Sequence, residues 1–567
     1  MAFNKKVSNL LSKSTDNNAN AFIKEGMKAS HETTSGNGAL KYSTSGNDFV
    51  DDFASIAKYK EPRSYEEVAK TMQLLYSIDN VKAVKMAIFI RLITRKSQVM
   101  KDKSVETLEE VQRGQGLKNE GIMRMLWLAL NHSSVFKVNL PLFIAAGSWK
   151  DVITMMNLDL QFHGWKDRKL DWTFFGKVIK AGLLNPGTSQ LVRKYLPTIR
   201  TDAKCRTLES QADTLIGRWL AKQFFPEDEK FVAYKKYRQL KSKGTAHKWQ
   251  QLISKEMYNE LNFDSIAGRA LALLVGSKFL QNHNLVARYS EWIKSKPVAK
   301  FTGFVFELFK PLGNGYRLRH IEDYKEATIN AQFAQLVKTG KEGVNTNAGL
   351  VVVRDTSCSM TSQAVGCSMS SYDVAKSMAL YFSEFLTGPF ANSFAEFANT
   401  CTLQQWKGST PVDKYLNDRC EAYGGTNFQS VIDLFIQLNG RGVPEKDFPT
   451  GILCVSDGEF NRCGTNTSTN FQTAIRKLRS AGFSKEYVDN FKIILWDIPN
   501  SYYGKSETKF EDFADAPNFF YLSGYDPSSV AFIMEGKECK VTPRNASELM
   551  ETALDQELLN RVFIPRK

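Results

Sequence analysis

From about residue 48 to about residue 340 one pattern recurs along the chain: apolar residues at i, i+3, i+4 and i+7, with short polar or Gly/Pro connections between the runs. The stretches "YEEVAKTMQLLYSI", "NEGIMRMLWLALNH", "SQLVRKYLPTI" and "ADTLIGRWLAKQF" are examples, and the spacing puts their apolar residues on one helical face. Many modest helices, short joints and no strand signal predict stacked helix pairs, a HEAT-like α-solenoid. No clean repeat period is visible. After "NAGL" (347–350) the period changes. "GLVVVRD", "SFAEFAN", "GILCVSD", "FKIILWDI" and "NFFYLS" read as buried strands, with helical runs such as "SYDVAKSMALYFSEFL" between them. That alternation predicts a doubly wound α/β domain whose ligand site lies at the carboxyl ends of its strands. The reading divides the chain into a flexible segment (1–35, rich in Ser, Asn, Thr and Lys), a helical domain (36–345), an α/β domain (346–540) and a C-terminal helix packing back on the fold (541–567).

Length and composition narrow the class. A chain of 567 residues should hold more than one structural unit. Hydrophobic residues at 43% and aromatics at 12% exclude a disordered chain, and no apolar run approaches a membrane span. The start lacks the apolar core of a secretory signal, so a soluble, cytoplasmic protein is expected. The eight cysteines form no C-x-x-C pair and are expected as free thiols; the six histidines all precede residue 321, which disfavours Cys/His zinc sites. Charge is split. Residues 346–567 carry 21 Lys and Arg against 26 Asp and Glu, a balance of −5, which leaves +20 of the overall +15 for residues 1–345. Such a surplus concentrates polyanions and makes phosphate contacts plausible, although solvated helix faces would produce the same count.

The candidate chemistry sits in the α/β half. In "VVVRDTSCSM" Asp355 closes the first strand and Ser357 and Ser359 follow on the turn; "YGGTNF" offers Thr426, and "CVSDGEF" places Asp457 at the end of a later strand. Two carboxylates and three hydroxyls on three converging loops make a hard, all-oxygen set suited to Mg²⁺, or to Mn²⁺ or Ca²⁺. The bland alternative is that the serines cap a helix and the aspartates fix turns. Serine catalysis would need a base; this half has no histidine, and Lys376 stands alone, so no enzyme activity is expected. A metal nuclease would need paired carboxylates, and "DGEF" adds only Glu459. Cys358, alternating away from the serines, is expected as a core thiol.

This constellation is similar to the metal-ion-dependent adhesion site of von Willebrand factor A domains, in which the D-x-S-x-S serines and the threonine bind metal directly and the last aspartate often acts through water. Such a domain behind a basic helical half resembles the Ro autoantigen family, with its TROVE module, and its phage, plant and large-virus relatives. "ALKYSTSGNDFVDDF", "RGQGLKNEGIMRMLWLAL", "LPLFIAAGSWKDVI" and "YLPTI" carry the likeness over roughly residues 35 to 535. The resemblance implies a ring of HEAT-like helices and a non-catalytic role as a chaperone or surveillance protein for small non-coding or misfolded RNA. Candidate phosphate contacts are Lys177, Lys180, Arg193, Lys194, Lys235, Lys236 and Arg238. Trp149, Trp219, Trp249 and Trp292 lie on apolar stripes and are expected in the core. In this reading the metal holds a protein carboxylate or braces the ring; the alternative is a protein-interaction or virion-associated scaffold that retains the metal site for adhesion, uses the solenoid as a platform and has no RNA function.

Overall fold

The computed structural model describes residues 21–566 apart from 56–62, 102–103, 202–203, 243–247, 314, 316, 343, 348, 365–367, 420–422, 465–467, 499–508 and 535–541. Part of the segment expected to be flexible, residues 1–35, has regular structure. Residues 1–20 lie outside the described residues, but Ala21–Ala29 is a helix, and β1 (Glu32–Thr34) pairs antiparallel with β2 (Leu40–Tyr42). Contacts distant in sequence account for this. Tyr42 and Phe510 exchange two backbone hydrogen bonds of 2.8 Å, which attach the hairpin to the α/β half.

The helical half follows the periodicity. Tyr65–Ile78 packs on Asn80–Arg91, Lys118–Asn131 on Ser133–Ala146, and Leu208–Phe224 on Lys230–Ser242. Ser64 with Glu67 and Thr207 with Ser210 form capping boxes that satisfy the first amides of two of these helices. One element departs from the expectation of helix alone: β3 (Arg95–Lys101) pairs antiparallel with β4 (Ser104–Gln112), from Arg95 opposite Gln112 to Lys101 opposite Ser104. Its sequence mixes charged, polar and apolar residues without alternation, and Val105, Leu108 and Val111 recur at every third position, so no period-two signal reveals the strands. Residues from Trp249 to Ala331 form a second, smaller core around Phe263 and Tyr289. Trp249 is buried, and Trp149, Trp219 and Trp292 are half-buried against the cores. Among the described residues no helix is long and apolar enough to cross a membrane.

The C-terminal half is a six-stranded sheet. Its strands are β5 (Leu350–Asp355), β6 (Ser393–Phe397), β7 (Cys401–Gln405), β8 (Gly451–Ser456), β9 (Lys492–Asp497) and β10 (Phe519–Ser523), in the order β10-β9-β8-β5-β6-β7. All pairings are parallel except that of β6 with β7, an edge hairpin. The run "SFAEFAN" is therefore the first arm of a hairpin. β5 and β8 are buried at every residue, as expected for parallel strands covered on both faces.

The core does not divide at residue 345. The helix Ser371–Phe385 lies between the sheet and the helices Val305–Phe309 and Asp323–Lys341. Across this contact Phe309 stacks on Tyr415, with centroids 4.5 Å apart and planes at 7°. Gly340 permits the approach, since a Cβ there would meet the Tyr381 hydroxyl at 1.8 Å. Near the C-terminus Ala546–Leu554 packs on Asp48–Ser55, Asn80–Arg91 and β10, and the short helix Glu557–Asn560 follows it. Both ends of the described chain thus tie the two halves together.

Candidate functional site

The first strand of the α/β half, β5, has β6 on one side and β8 on the other. Connections leaving β5 and β8 therefore diverge, opening a crevice at their carboxyl ends. Asp355 is the last residue of β5 and Asp457 follows the last residue of β8. Asp355 Oδ1 accepts the Ser357 amide at 2.8 Å, and Oδ2 accepts the Ser456 hydroxyl at 2.5 Å. Ser357 Oγ and Ser359 Oγ are 3.1 Å apart, and the Ser359 hydroxyl also bonds Asp457. Asp457 Oδ1 accepts the Glu459 amide at 3.1 Å. The third loop lies alongside: Tyr423 N–H donates to Thr356 O at 2.9 Å and Cys358 N–H to Gly424 O at 3.3 Å. Thr426 is held by Asn461, its N–H donating to Asn461 Oδ1 at 3.2 Å and its C=O accepting the Asn461 N–H at 2.8 Å. Its hydroxyl makes no hydrogen bond among the described residues. All five predicted positions are at most 9% exposed.

Burial is the main cause that raises the Asp355 carboxyl, to about 6; the hydroxyls of Ser456 and Ser357 only partly offset it. Burial again, followed by repulsion from Asp355, raises Asp457 to about 7, against the Ser359 hydroxyl and Glu459 amide. These groups keep protons that an unfolded chain releases near 3.8. Their stabilising contribution is therefore complete below about pH 4 and is lost as pH rises through 6 to 7. In chelator, the folding stability of the wild type should fall from pH 5 to pH 8 more steeply than that of Asp457→Asn. The difference should reach about 1 kcal/mol per pH unit near pH 6, measured by chemical denaturation; parallel pH profiles would contradict the assignment.

The donor set suits a hard dication. The oxygens are compact and shielded from water, two are carboxylates, and the groups that steady those carboxylates here are neutral hydroxyls and amides. A divalent ion would supply the positive charge that the buried pair calls for. Among the described residues no three His, Cys, Asp or Glu side chains gather to hold a metal, so any such site must rely on hydroxyl ligands.

Sequence reasoning missed the second layer of this site. The β1–β2 hairpin lies over the Asp457–Asn461 loop: Glu459 Oε2 accepts the Gly36 amide at 2.5 Å, Asn37 Nδ2 donates to Glu459 O at 2.6 Å, and Ser35 Oγ donates to Phe460 O at 2.7 Å. Lys41, 3% exposed, donates to Gly458 O and pairs with buried Glu511 at 3.3 Å. Glu459 is thus a strut for this hairpin. No local pattern around Lys41 announces a partner 417 residues away; the adjacent Ser-Asp pair in "CVSDGEF" is the one cue that could have pointed to Ser456.

Two expectations need correction. Cys358 does turn away from the serines, but it is exposed, because the 3₁₀ turn Cys358–Thr361 projects beyond the sheet and its outer side meets solvent. Lys376 is not without partners: its Nζ donates to Asp418 O at 2.6 Å and lies 4.2 Å from the centre of the Tyr415 ring. Cys205, Cys401, Cys454 and Cys463 are, like Cys358, free; Cys367, Cys420 and Cys539 lie outside the described residues.

The seven basic candidates fall on three helices, Trp172–Leu184, Ser189–Tyr195 and Lys230–Ser242, the second of which packs against both others. Lys177, Lys180, Lys235, Lys236 and Arg238 are exposed, and Arg193 and Lys194 are half-buried. Lys236 is paired with Asp228 at 2.7 Å. Strongly exposed apolar side chains interleave with them, among them Leu184 at 76% and Phe231 at 78%.

Residues 350–561, from the start of β5 through the last helix, match a family described as a domain of unknown function (DUF7788). No curated protein matches the chain. Among solved structures, the crystal structure of the Deinococcus radiodurans RO (RSR) protein is similar, at 12% identity and a TM-score of 0.43, over 90% of this chain and 99% of that one.

Proposed function

We propose that the chain is a binding protein without catalytic activity, in which an α/β domain of the von Willebrand A kind holds Mg²⁺, or Mn²⁺ or Ca²⁺, and a basic HEAT-like half binds structured or misfolded RNA. The observation that carries this reading is one chain joining a buried cluster of carboxylates and hydroxyls to a half with a surplus of +20. Asp355, Ser357, Ser359, Thr426 and Asp457 would hold the ion. When bound, the ion offers a Lewis-acidic position to an incoming carboxylate or phosphate. The chain's own residues do the rest: Ser456 orients Asp355, Asn461 fixes the Thr426 turn, and the hairpin at Gly36 and Asn37 braces the Asp457 loop.

RNA binding would draw on Lys177, Lys180, Lys235 and Arg238 for phosphate contacts, with exposed Phe231 beside them available to stack on unpaired bases. The test is titration of labelled structured RNA at stepped salt. Affinity should fall by about tenfold or more between 50 and 200 mM salt, the signature of several phosphate contacts. Absence of binding at 50 mM would remove the RNA reading and leave a protein-interaction scaffold, in which the same interleaved cations and apolar side chains would meet a protein partner.

A further inference from the structure

A large cleft opens at the junction between the two halves, where the residues that reach it from the α/β half follow the carboxyl ends of β5 and β10. It has a volume of about 1010 Å³, the scale of small-molecule sites. Helices Gly268–Gly276, Val305–Phe309 and Asp323–Lys341 wall it on one side, and Gln363, Ser368 and Tyr525 reach it from the other. We propose that this cleft binds a nucleoside phosphate, independently of both the metal centre and any RNA bound by the helical half.

Three observations define the ligand. The first is charge: Arg269, Lys310, Arg319 and Lys325 line the cleft against one acid, Glu307, a balance of +3. Glu307 engages Arg269, and Lys325 is paired with Glu322 at 3.0 Å. Lys310 and Arg319, both exposed, make no ion pair among the described residues; Lys310 is still close enough to Glu307 to favour its charged form, and these two carry the positive charge least committed to a partner. The second is an aromatic wall. Phe304 and Phe306 lie nearly parallel, centroids 5.8 Å apart and planes at 15°, and Tyr525 meets both edge-on at 5.8 and 5.2 Å. The third is Gln332, a lining residue only 1% exposed. Its Nε2 donates to Gly268 O at 3.0 Å and Lys300 O at 3.2 Å, which settles the orientation of the amide, and its Oε1 is left without a hydrogen bond. A buried acceptor left open is costly, and a ligand N–H reaching it after a small rearrangement would relieve that cost.

These features select against simpler ligands. A bare anion has no use for the ring wall or for the exposed apolar rim at Leu273. An aliphatic molecule has no use for Lys310 and Arg319. A flat heterocycle with N–H donors, joined to a phosphate, matches all three: its ring against Phe304, Phe306 and Tyr525, its phosphate toward Lys310 and Arg319.

The experiment is calorimetric titration of the full chain with ADP in chelator, which takes the metal centre out of play. Inorganic pyrophosphate and a 5′-phosphorylated single-stranded RNA are titrated in parallel. ADP should saturate one site and bind at least tenfold more tightly than pyrophosphate. The double variant Lys310→Glu/Arg319→Glu, whose exposed positions leave the core intact, should weaken ADP at least tenfold, and Phe304→Leu should weaken ADP while sparing pyrophosphate. The proposal is overturned if ADP gives no saturable heat, if pyrophosphate binds equally well, if the double variant binds ADP as the wild type does, or if only the RNA binds. Since salt-dependent RNA affinity is measured separately, its failure would leave the ADP result standing, and the reverse holds too.

Discussion

Replacing Asp355 with alanine should abolish the thermal stabilisation that Mg²⁺ gives the wild type while leaving RNA affinity within about twofold. A ligand bound only by the folded state stabilises it by about 2.7 kcal/mol at a hundredfold excess over its Kd. Asp355 ties the cluster together, one oxygen held by the Ser357 amide and the other by the Ser456 hydroxyl, so its loss removes a charge and frees both serines. In chelator the variant should be no less stable than the wild type above pH 7, where the buried carboxylate is a liability because its folded-state value is raised to about 6. Melting curves with and without Mg²⁺, beside RNA titrations on the same samples, check both halves of the expectation. Equal loss of metal response and RNA affinity would mean that the two functions are not divided between the two halves. A retained Mg²⁺ response would place the ion elsewhere.

How much of this site was legible beforehand follows from the range of its interactions. Asp355, Ser357 and Ser359 announce themselves because strand and turn are adjacent in sequence, and β5 reads as buried from its unbroken apolar run. Asp457 and Thr426 depend on β8 lying beside β5; strand–helix alternation predicted a mostly parallel sheet with its site at the carboxyl ends, and the structure supplies the order. The β1–β2 hairpin over the Asp457 loop was invisible, since its hold depends on backbone groups of Gly36 and Phe460 and on Lys41, none of which marks a periodic pattern. β3 and β4 were hidden as well, because Val105, Leu108 and Val111 follow a three-residue spacing and not the alternation of a strand. The helical half was read from its faces, but its division into two cores was not, because periodicity shows which face is buried and says nothing of what buries it.

Arg354, the residue beside Asp355, has a structural role. Side chains alternate across β5, so Arg354 and Asp355 point to opposite faces. The guanidinium is fully buried; Nη1 pairs with Asp418 at 2.5 Å and Nη2 with Glu396 at 2.9 Å, and the rings of Phe394, Tyr372 and Trp406 lie 4.7 to 5.9 Å from its centre. Arg354→Met should destabilise the protein by about 3 kcal/mol, because it strands the carboxylate of Glu396 and leaves Asp418 the more distant Lys376 ammonium at 3.8 Å. Arg354→Lys should fall between the two, retaining the charge but not the fork that serves both acids. Chemical denaturation followed through buried Trp496 reads the loss. The Mg²⁺ response of the fraction still folded should remain, in contrast with Asp355→Ala, since Arg354 supplies no oxygen to the cluster. A loss under about 1 kcal/mol would mean that Asp418 and Glu396 reach solvent without their partner, as weakly coupled surface pairs do.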